Sequence, residues 1–356
     1  MTNPYETLPE EAFWKTGVAT EGIFGIQNLW RSRWRLPSDA KIATYGSCFA
    51  QTISRALTAR NMSWHNCEFG PRDMPDALAK AYNYGVFSAR TGNIYTARQL
   101  LMWAQLAVTH PDKLPQPEIW EDHDGFRDSL RPAIEPRGFA SLREARESRA
   151  EAVRAFRQSI RDSDVLVYTL GLTEGWENKD TGYPYAMCPG TTAGTFDPDL
   201  HVLKHYRFDM LIHQFQSAFD VFHKINPDLK IILTVSPVSP VATQSGQHIL
   251  TAGMHTKSLL RAVASELTFN TPSIDYFPSF ELVASPAARG IFYNQNLRTI
   301  SAQGVDFVMG YFFEGLNLSG PLKYGTSAPV APAPKPAKSA EDLACEELDL
   351  EAYAND

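Results

Sequence analysis

The chain has 356 residues, 44% hydrophobic and 12% aromatic, enough to bury one large α/β core, or one core plus a small insertion. Its formal charge of −7 is uneven: seven acidic residues against two lysines fall in 326–356, so the body is close to neutral and gives no support for nucleic-acid binding. No stretch reaches membrane-spanning length, the N-terminus (Met1-Thr-Asn-Pro-Tyr-Glu) lacks a signal-peptide pattern, and four dispersed cysteines fit reduced thiols; a cytoplasmic protein with no metal is expected.

Residues 1–40 carry Trp14, Phe24, Trp30 and Trp34, too aromatic for a loose tail, and are expected to pack on the core as an irregular lead-in. Lys41-Ile-Ala-Thr-Tyr45 reads as a short buried strand. Phe49, Ala50, Ile53 and Leu57 then recur at helical spacing as far as Arg60-Asn61. Between them lies Gly46-Ser47-Cys48-Phe49-Ala50, which puts Cys48 at a helix N-terminus. Unpaired N–H groups and the positive dipole end there stabilise a thiolate and can bind an oxyanion. The plainer reading is a Gly-Ser turn with an N-cap serine and a small buried cysteine. His65-Asn-Cys67 is a ligand-type pair without recognisable companions.

Residues 105–140, rich in proline and charge, read as an insertion or lid whose most ordered element is Asp128-Ser-Leu-Arg-Pro132. A capping box, Ser141-Leu-Arg-Glu144, opens a helix running to about Arg161. Val165-Leu-Val-Tyr-Thr-Leu170 is a near-continuous apolar run, as in a parallel strand covered on both faces, and it ends at Gly171. Ile231-Ile-Leu-Thr-Val235 repeats the pattern before Ser236-Pro237; helical patterns lie between the strands at about 205–225 and 252–267, and 301–313 resembles a closing helix. Strand alternating with helix implies an α/β fold with a mostly parallel sheet flanked by helices. Ligands of such sheets lie beyond the carboxyl ends of the strands, so the loops after residues 45, 170 and 235 should converge. At the C-terminus an Ala/Pro spacer, Pro329 to Pro336, precedes an acidic stretch with spaced leucines, 341–353. It reads as a disordered solvated tail, with docking on a protein partner as the alternative.

Gly46-Ser-Cys-Phe-Ala50 is joined by Arg90-Thr-Gly-Asn-Ile-Tyr-Thr96, Thr169-Leu-Gly-Leu-Thr-Glu-Gly-Trp176, Cys188-Pro-Gly190, Leu233-Thr-Val-Ser-Pro-Val238 and Tyr276-Phe-Pro-Ser-Phe-Glu281. In this order and spacing the segments resemble the GSCFA family, named for the pentapeptide and similar to SGNH (GDSL-type) hydrolases. The resemblance covers about residues 40 to 315. It implies a three-layer, flavodoxin-like (SGNH-hydrolase-like) domain at 41–315, between the lead-in and a linker-plus-tail at 316–356.

The resemblance also implies roles. Gly46 falls on the glycine of the SGNH Gly-Asp-Ser block, Ser47 on its aspartate and Cys48 on its nucleophile. Ser47 is the alternative nucleophile, or a helix cap through its hydroxyl. Two segments compete for the glycine block of the oxyanion hole, Asn83-Tyr-Gly85 and Gly92-Asn93. Gly171-Leu-Thr-Glu174 aligns with Gly-x-Asn-Asp, so Thr173 replaces the amide donor and Glu174 the acid. Where the family pattern carries Asp-x-x-His, this chain has Asn296 and Arg298, neither of them a base near neutral pH. Arg298 would instead hold a carboxylate or phosphate, and His248, with His255 second, is the candidate replacement base.

The expected activity is ester hydrolysis or acyl transfer through a cysteine thioester, on a small-molecule or saccharide substrate such as a surface-polysaccharide precursor. No cofactor is expected, with acyl-CoA as an admissible co-substrate. The rival from another class is a noncatalytic carbohydrate- or acyl-ligand-binding module that has lost the general base.

Overall fold

The computed structural model describes residues 3–109, 117–319 and 345–354. The chain divides into two units, Met1–Ser38 with Phe277–Glu341, and Asp39–Tyr276 with Asp342–Asp356. The described strands are β1 (Leu36–Pro37), β2 (Ile42–Gly46), β3 (Ile119–Asp122), β4 (Gly125–Asp128), β5 (Val165–Leu170), β6 (Glu174–Asn178), β7 (His201–His205), β8 (Lys230–Val235), β9 (Ile274–Tyr276) and β10 (Leu318–Ser319). The helices are α1 (Gly22–Gly25), α2 (Phe49–Ala59), α3 (Asp76–Ala81), α4 (Ala97–Val108), α5 (Leu142–Asp162), α6 (Phe208–Ile225), α7 (Ile249–Asn270), α8 (Ser279–Ala284) and α9 (Ala302–Gly315).

The larger unit is built on a four-stranded parallel sheet in the order β2-β5-β8-β9, flanked by helices. The parallel sheet flanked by helices is what the alternation of strands and helices predicts, and the architecture is the three-layer, flavodoxin-like one that the resemblance implies. Every residue of β2 and β5 is buried, which is why both runs are apolar without alternation. Helix α2 packs on β2 and β5, α7 on β8 and β9, and α4, α5 and α6 on one another. Gly46 pairs with Thr169, and Leu170 with Val235, so the carboxyl ends of the three strands stop at one level.

The smaller unit joins the lead-in to the segment after β9. Strand β1 pairs with β10, and Trp30 stacks on Phe312 (5.9 Å between centroids) and meets Phe277 edge-on at 5.1 Å. Trp14 and Phe24 stay largely exposed. The division after Tyr276 falls inside the 41–315 span expected to be one domain, because the α8–β10 stretch finds its pairing strand and aromatic partners in the lead-in.

Within 105–140, α4 continues to Val108 and β3–β4 form an antiparallel hairpin. Its anchor is a fully buried ionic cluster. Asp128 accepts from Arg131 Nε (2.8 Å) and from Arg149 Nε and Nη2 (3.0 and 2.5 Å). Arg149 also donates to the carbonyls of Pro117 and Glu118, and Arg131 to the Arg90 carbonyl at 3.0 Å. Helix α5, the hairpin and the 88–95 segment are thereby locked together. Ser141 caps α5 through the Glu144 N–H (3.1 Å), but the Glu144 carboxylate reaches the Ala140 N–H rather than closing the predicted box on Ser141. Residues 345–354 contain 3₁₀ turns, Glu346–Ala354, with Glu346 and Glu347 buried, whereas composition predicts a solvated tail. The Ala/Pro spacer lies outside the described residues.

Burial alone would raise the Asp128 carboxyl, but Arg149 and Arg131 outweigh it and hold the group at about 2. A folded value below the unfolded one, about 3.9, makes this stabilisation complete above pH ~4 and removes it as pH falls towards 2. Asp128→Asn is therefore expected to lower stability at pH 7 by about 3–5 kcal/mol. It should also flatten the rise of stability between pH 2 and 4; urea denaturation across that range measures both.

Candidate functional site

The site begins at Gly46, whose φ of 130° and position against β5 admit no side chain. A Cβ there would sit 2.2 Å from the Thr169 carbonyl oxygen. The strand can thus end hard against its neighbour, with the Ser47 N–H donating to the Thr169 carbonyl (3.1 Å). The next residue, Cys48, already has helical geometry and is the N-cap of α2, with no side-chain capping bond. Cys48 is 4% exposed.

The expected hydroxyl cap from Ser47 is not made. Ser47 Oγ is buried without a hydrogen-bond partner among the described residues, as is Thr169 Oγ1 on the neighbouring strand. A Cβ on Gly171 would lie 3.0 Å from Ser47 Cβ and 3.0 Å from the Tyr95 carbonyl, so the loops after β2 and β5 touch through the glycine.

The 92–96 segment completes the site. Ile94 N–H donates to the Gly46 carbonyl (2.8 Å), Leu172 N–H to the Tyr95 carbonyl (2.9 Å), and Tyr168 Oη to the Ile94 carbonyl (3.0 Å). Thr96 and Gln99 form a full capping box on α4, and Gln99 Oε1 also accepts from the Tyr95 N–H. Gly92, at φ 67°, turns the chain so that buried Asn93 faces the first turn of α2. There Gln51 Nε2 donates to Asn93 Oδ1 at 3.1 Å. This bond fixes the amide's orientation and leaves its Nδ2 as a donor.

That donor is occupied. Glu346 Oε2 accepts from Asn93 Nδ2 (2.6 Å) and from Tyr95 Oη (2.9 Å), and the Asn93 backbone N–H adds a further bond to the same carboxylate. Burial drives the Glu346 carboxyl up, with these donors partly offsetting it. Burial also drives the Tyr95 phenol well up, followed by Glu346, Cys345, Glu347 and Cys48, so Tyr95 stays a donor. Beside Glu346 a cavity of about 220 Å³ is lined by Asn83, Phe87, Gly92, Ala133, Ile134 and the C-terminal segment.

Of the predicted residues, Gly46, Ser47, Cys48, Asn93 and Gly171 come together here. Asn83 instead donates to the carbonyls of Ala133 and Ile134, and a Cβ on neighbouring Gly85 would meet nothing within 4 Å. Thr173 pairs with Thr256 hydroxyl to hydroxyl at 2.9 Å. Glu174 accepts from Thr243 Oγ1 and the Gln244 N–H and lies 3.7 Å from His205 Nδ1. With His255 these line a second cavity of about 220 Å³. His248 caps α7, its Nδ1 accepting from the Leu250 N–H at 3.2 Å. Arg298 belongs to the smaller unit, where Asn296 Oδ1 accepts from its backbone N–H in a tight turn.

Two of the other thiols, Cys67 and Cys188, are disfavoured as thiolates. Cys67 contacts His65 Nε2 at 3.3 Å, and burial pushes both Cys67 and Cys188 up to about 11. No helix among the described residues is long and apolar enough to cross a membrane.

Sequence reasoning missed Gln51, the part played by Tyr95, and Lys257. Buried Lys257 donates from Nζ to the Gly171 carbonyl at 2.9 Å, holding the loop after β5. Its signal was available: Lys257 falls on the buried stripe of α7 with Gly253, Leu260 and Ala264.

A four-stranded parallel sheet with a cysteine at the head of its first core helix, and an amide and a phenol of the 92–96 segment donating to one carboxylate oxygen, places the chain in the α/β class. The chain belongs to the GSCFA family, matched over residues 41–312. No curated protein matches it significantly.

A buried hydroxyl without a partner costs about 1 kcal/mol or more. Ser47→Ala is therefore expected to raise unfolding stability by about 1 kcal/mol in chemical denaturation. A loss of stability would show that the hydroxyl is engaged in the resting protein.

Proposed function

We propose that this protein is an SGNH-like acyl-ester hydrolase or O-acyltransferase with Cys48 as nucleophile, acting on carbohydrate or surface-polysaccharide precursors. The observation that carries the reading is the convergence of Asn93 Nδ2 and Tyr95 Oη on a single carboxylate oxygen, linked through Gln51 to the helix whose N-cap is Cys48. Donors preset around one oxygen are what a tetrahedral oxyanion requires.

In the proposed reaction Cys48 Sγ attacks the acyl carbonyl carbon, and the carbonyl oxygen, now anionic, takes the place of Glu346 Oε2 between Asn93 and Tyr95. Collapse of the intermediate expels the alcohol, which takes up the proton released by the thiol, and leaves a thioester on Cys48. Water then gives the acid and an acceptor hydroxyl gives the transferred ester, the thiol regaining a proton in either case. Gln51 orients Asn93, and Lys257 holds the Gly171 turn against Ser47. His255 lines the second cavity with Glu174 and His205.

One observation favours the rival binding module. His248 is committed to capping α7, and Asn296 to a turn of the smaller unit, so the SGNH base has no direct replacement at its aligned place.

A panel of activated esters and acyl-CoA thioesters separates the two. For any ester turned over, Cys48→Ala is expected to abolish turnover, and Asn93→Ala to lower kcat by about 10²-fold with a smaller change in KM. Melting temperatures serve as the folding control. Turnover retained in Cys48→Ala would overturn the nucleophile assignment, and saturable saccharide binding with no turnover of any ester would favour the binding module.

A further inference from the structure

We propose that the loops around Asn93 form a docking groove for an acidic peptide, filled in cis by the chain's own C-terminal segment, so that Glu346 plugs the pocket and must leave before a substrate enters. The proposal rests on reading the Asn93–Tyr95 side of the pocket as the oxyanion side.

Three observations point the same way. First, the segment's polar contacts fall on the 92–96 segment, on the loop after β8 and on the 190–192 stretch after β6. Glu346 bonds Asn93 and Tyr95, Tyr95 Oη also reaches Cys345 Sγ (3.8 Å), and Glu347 accepts from the Val241 N–H after β8 (3.4 Å). Thr192 Oγ1 donates to Asp349 (2.7 Å), and Tyr353 Oη reaches the Gly190 carbonyl (3.4 Å). Second, the Glu346 carboxylate is buried against neutral donors, with no ion-pair partner among the described residues. A side chain placed only for packing would be apolar, because a buried carboxylate without a cation is costly. Third, the segment is only partly enclosed. The cavity beside Glu346 remains open, and residues 351–354 are exposed. A contact of this kind belongs to the least stable parts of a fold, and its tethering makes redocking intramolecular.

The plug is also linked to the helix that Cys48 caps. Asn93 links Glu346 to Gln51, three residues beyond Cys48 and so within one turn of α2. A carboxylate oxygen in the oxyanion position mimics the bound product acid, and it excludes any other acyl oxygen from the same donors.

The test is the rate of Cys48 alkylation by iodoacetamide in the full-length protein, read by peptide mapping so that the other three cysteines do not interfere. Glu346→Lys puts a cation among donors and is expected to raise the rate at least about tenfold. Asp349→Ala should raise it about two- to threefold, and Glu346→Gln, which still offers a carbonyl oxygen, should stay near wild type. Equal rates in wild type, Glu346→Lys and Asp349→Ala would overturn the proposal. Alkylation needs no turnover: rates that respond in a protein without esterase activity would uphold the plug and reject the enzymatic reading, and unresponsive rates in an active esterase would do the reverse.

Discussion

The carboxyl edge of the sheet depends on how closely β2 and β5 approach each other at Gly46. With no Cβ and a φ open only to glycine, the strand ends against the Thr169 carbonyl and hands the chain directly to α2. Two consequences follow from that single contact. Cys48 becomes the head of a helix that starts at the carboxyl end of the strand, with the Ala50 and Gln51 N–H groups closed on the Ser47 and Cys48 carbonyls. The Gly46 carbonyl is also left to receive Ile94, which draws the Asn93 loop onto the same spot.

The larger unit buries carboxylates in two ways, and the difference separates scaffold from site. Asp128 is enclosed by two guanidiniums that outweigh its desolvation, so it stays ionised and rigidly ties α5 to the 88–95 segment. Glu346 is enclosed by an amide and a phenol, so desolvation prevails and its carboxyl is driven up. The first arrangement costs several kcal/mol to break, whereas the second surrounds its carboxylate with neutral donors only, among the described residues. A rigid cluster thus positions the loop that carries a replaceable contact.

Much of this was legible from residue order. Buried parallel strands declare themselves by unbroken apolar runs, and β2, β5 and β8 lie within a residue of where those runs place them. The Gly46–Cys48 junction followed from strand and helix meeting there, and Asp128–Pro132 stood out as the most ordered element of 105–140. Gln51 and Lys257 escaped because a polar residue on a helix reads as solvent-facing until its stripe is traced. The choice between Gly85 and Gly92–Asn93 needed the hydrogen bonds of Asn83 and Asn93, which are tertiary. Glu346 was out of reach altogether: its partners lie some 250 residues away, and an acidic stretch after an Ala/Pro spacer reads by composition as solvated.

The central claim is that acyl chemistry runs through the cysteine at the head of α2. Intact-mass spectrometry after brief exposure to activated esters and acyl-CoA thioesters, followed by peptide mapping, tests it most directly. The account predicts a single acyl adduct on the peptide carrying Cys48, one that decays with time. An adduct confined to Ser47 or to another cysteine, or none with any donor, would contradict it.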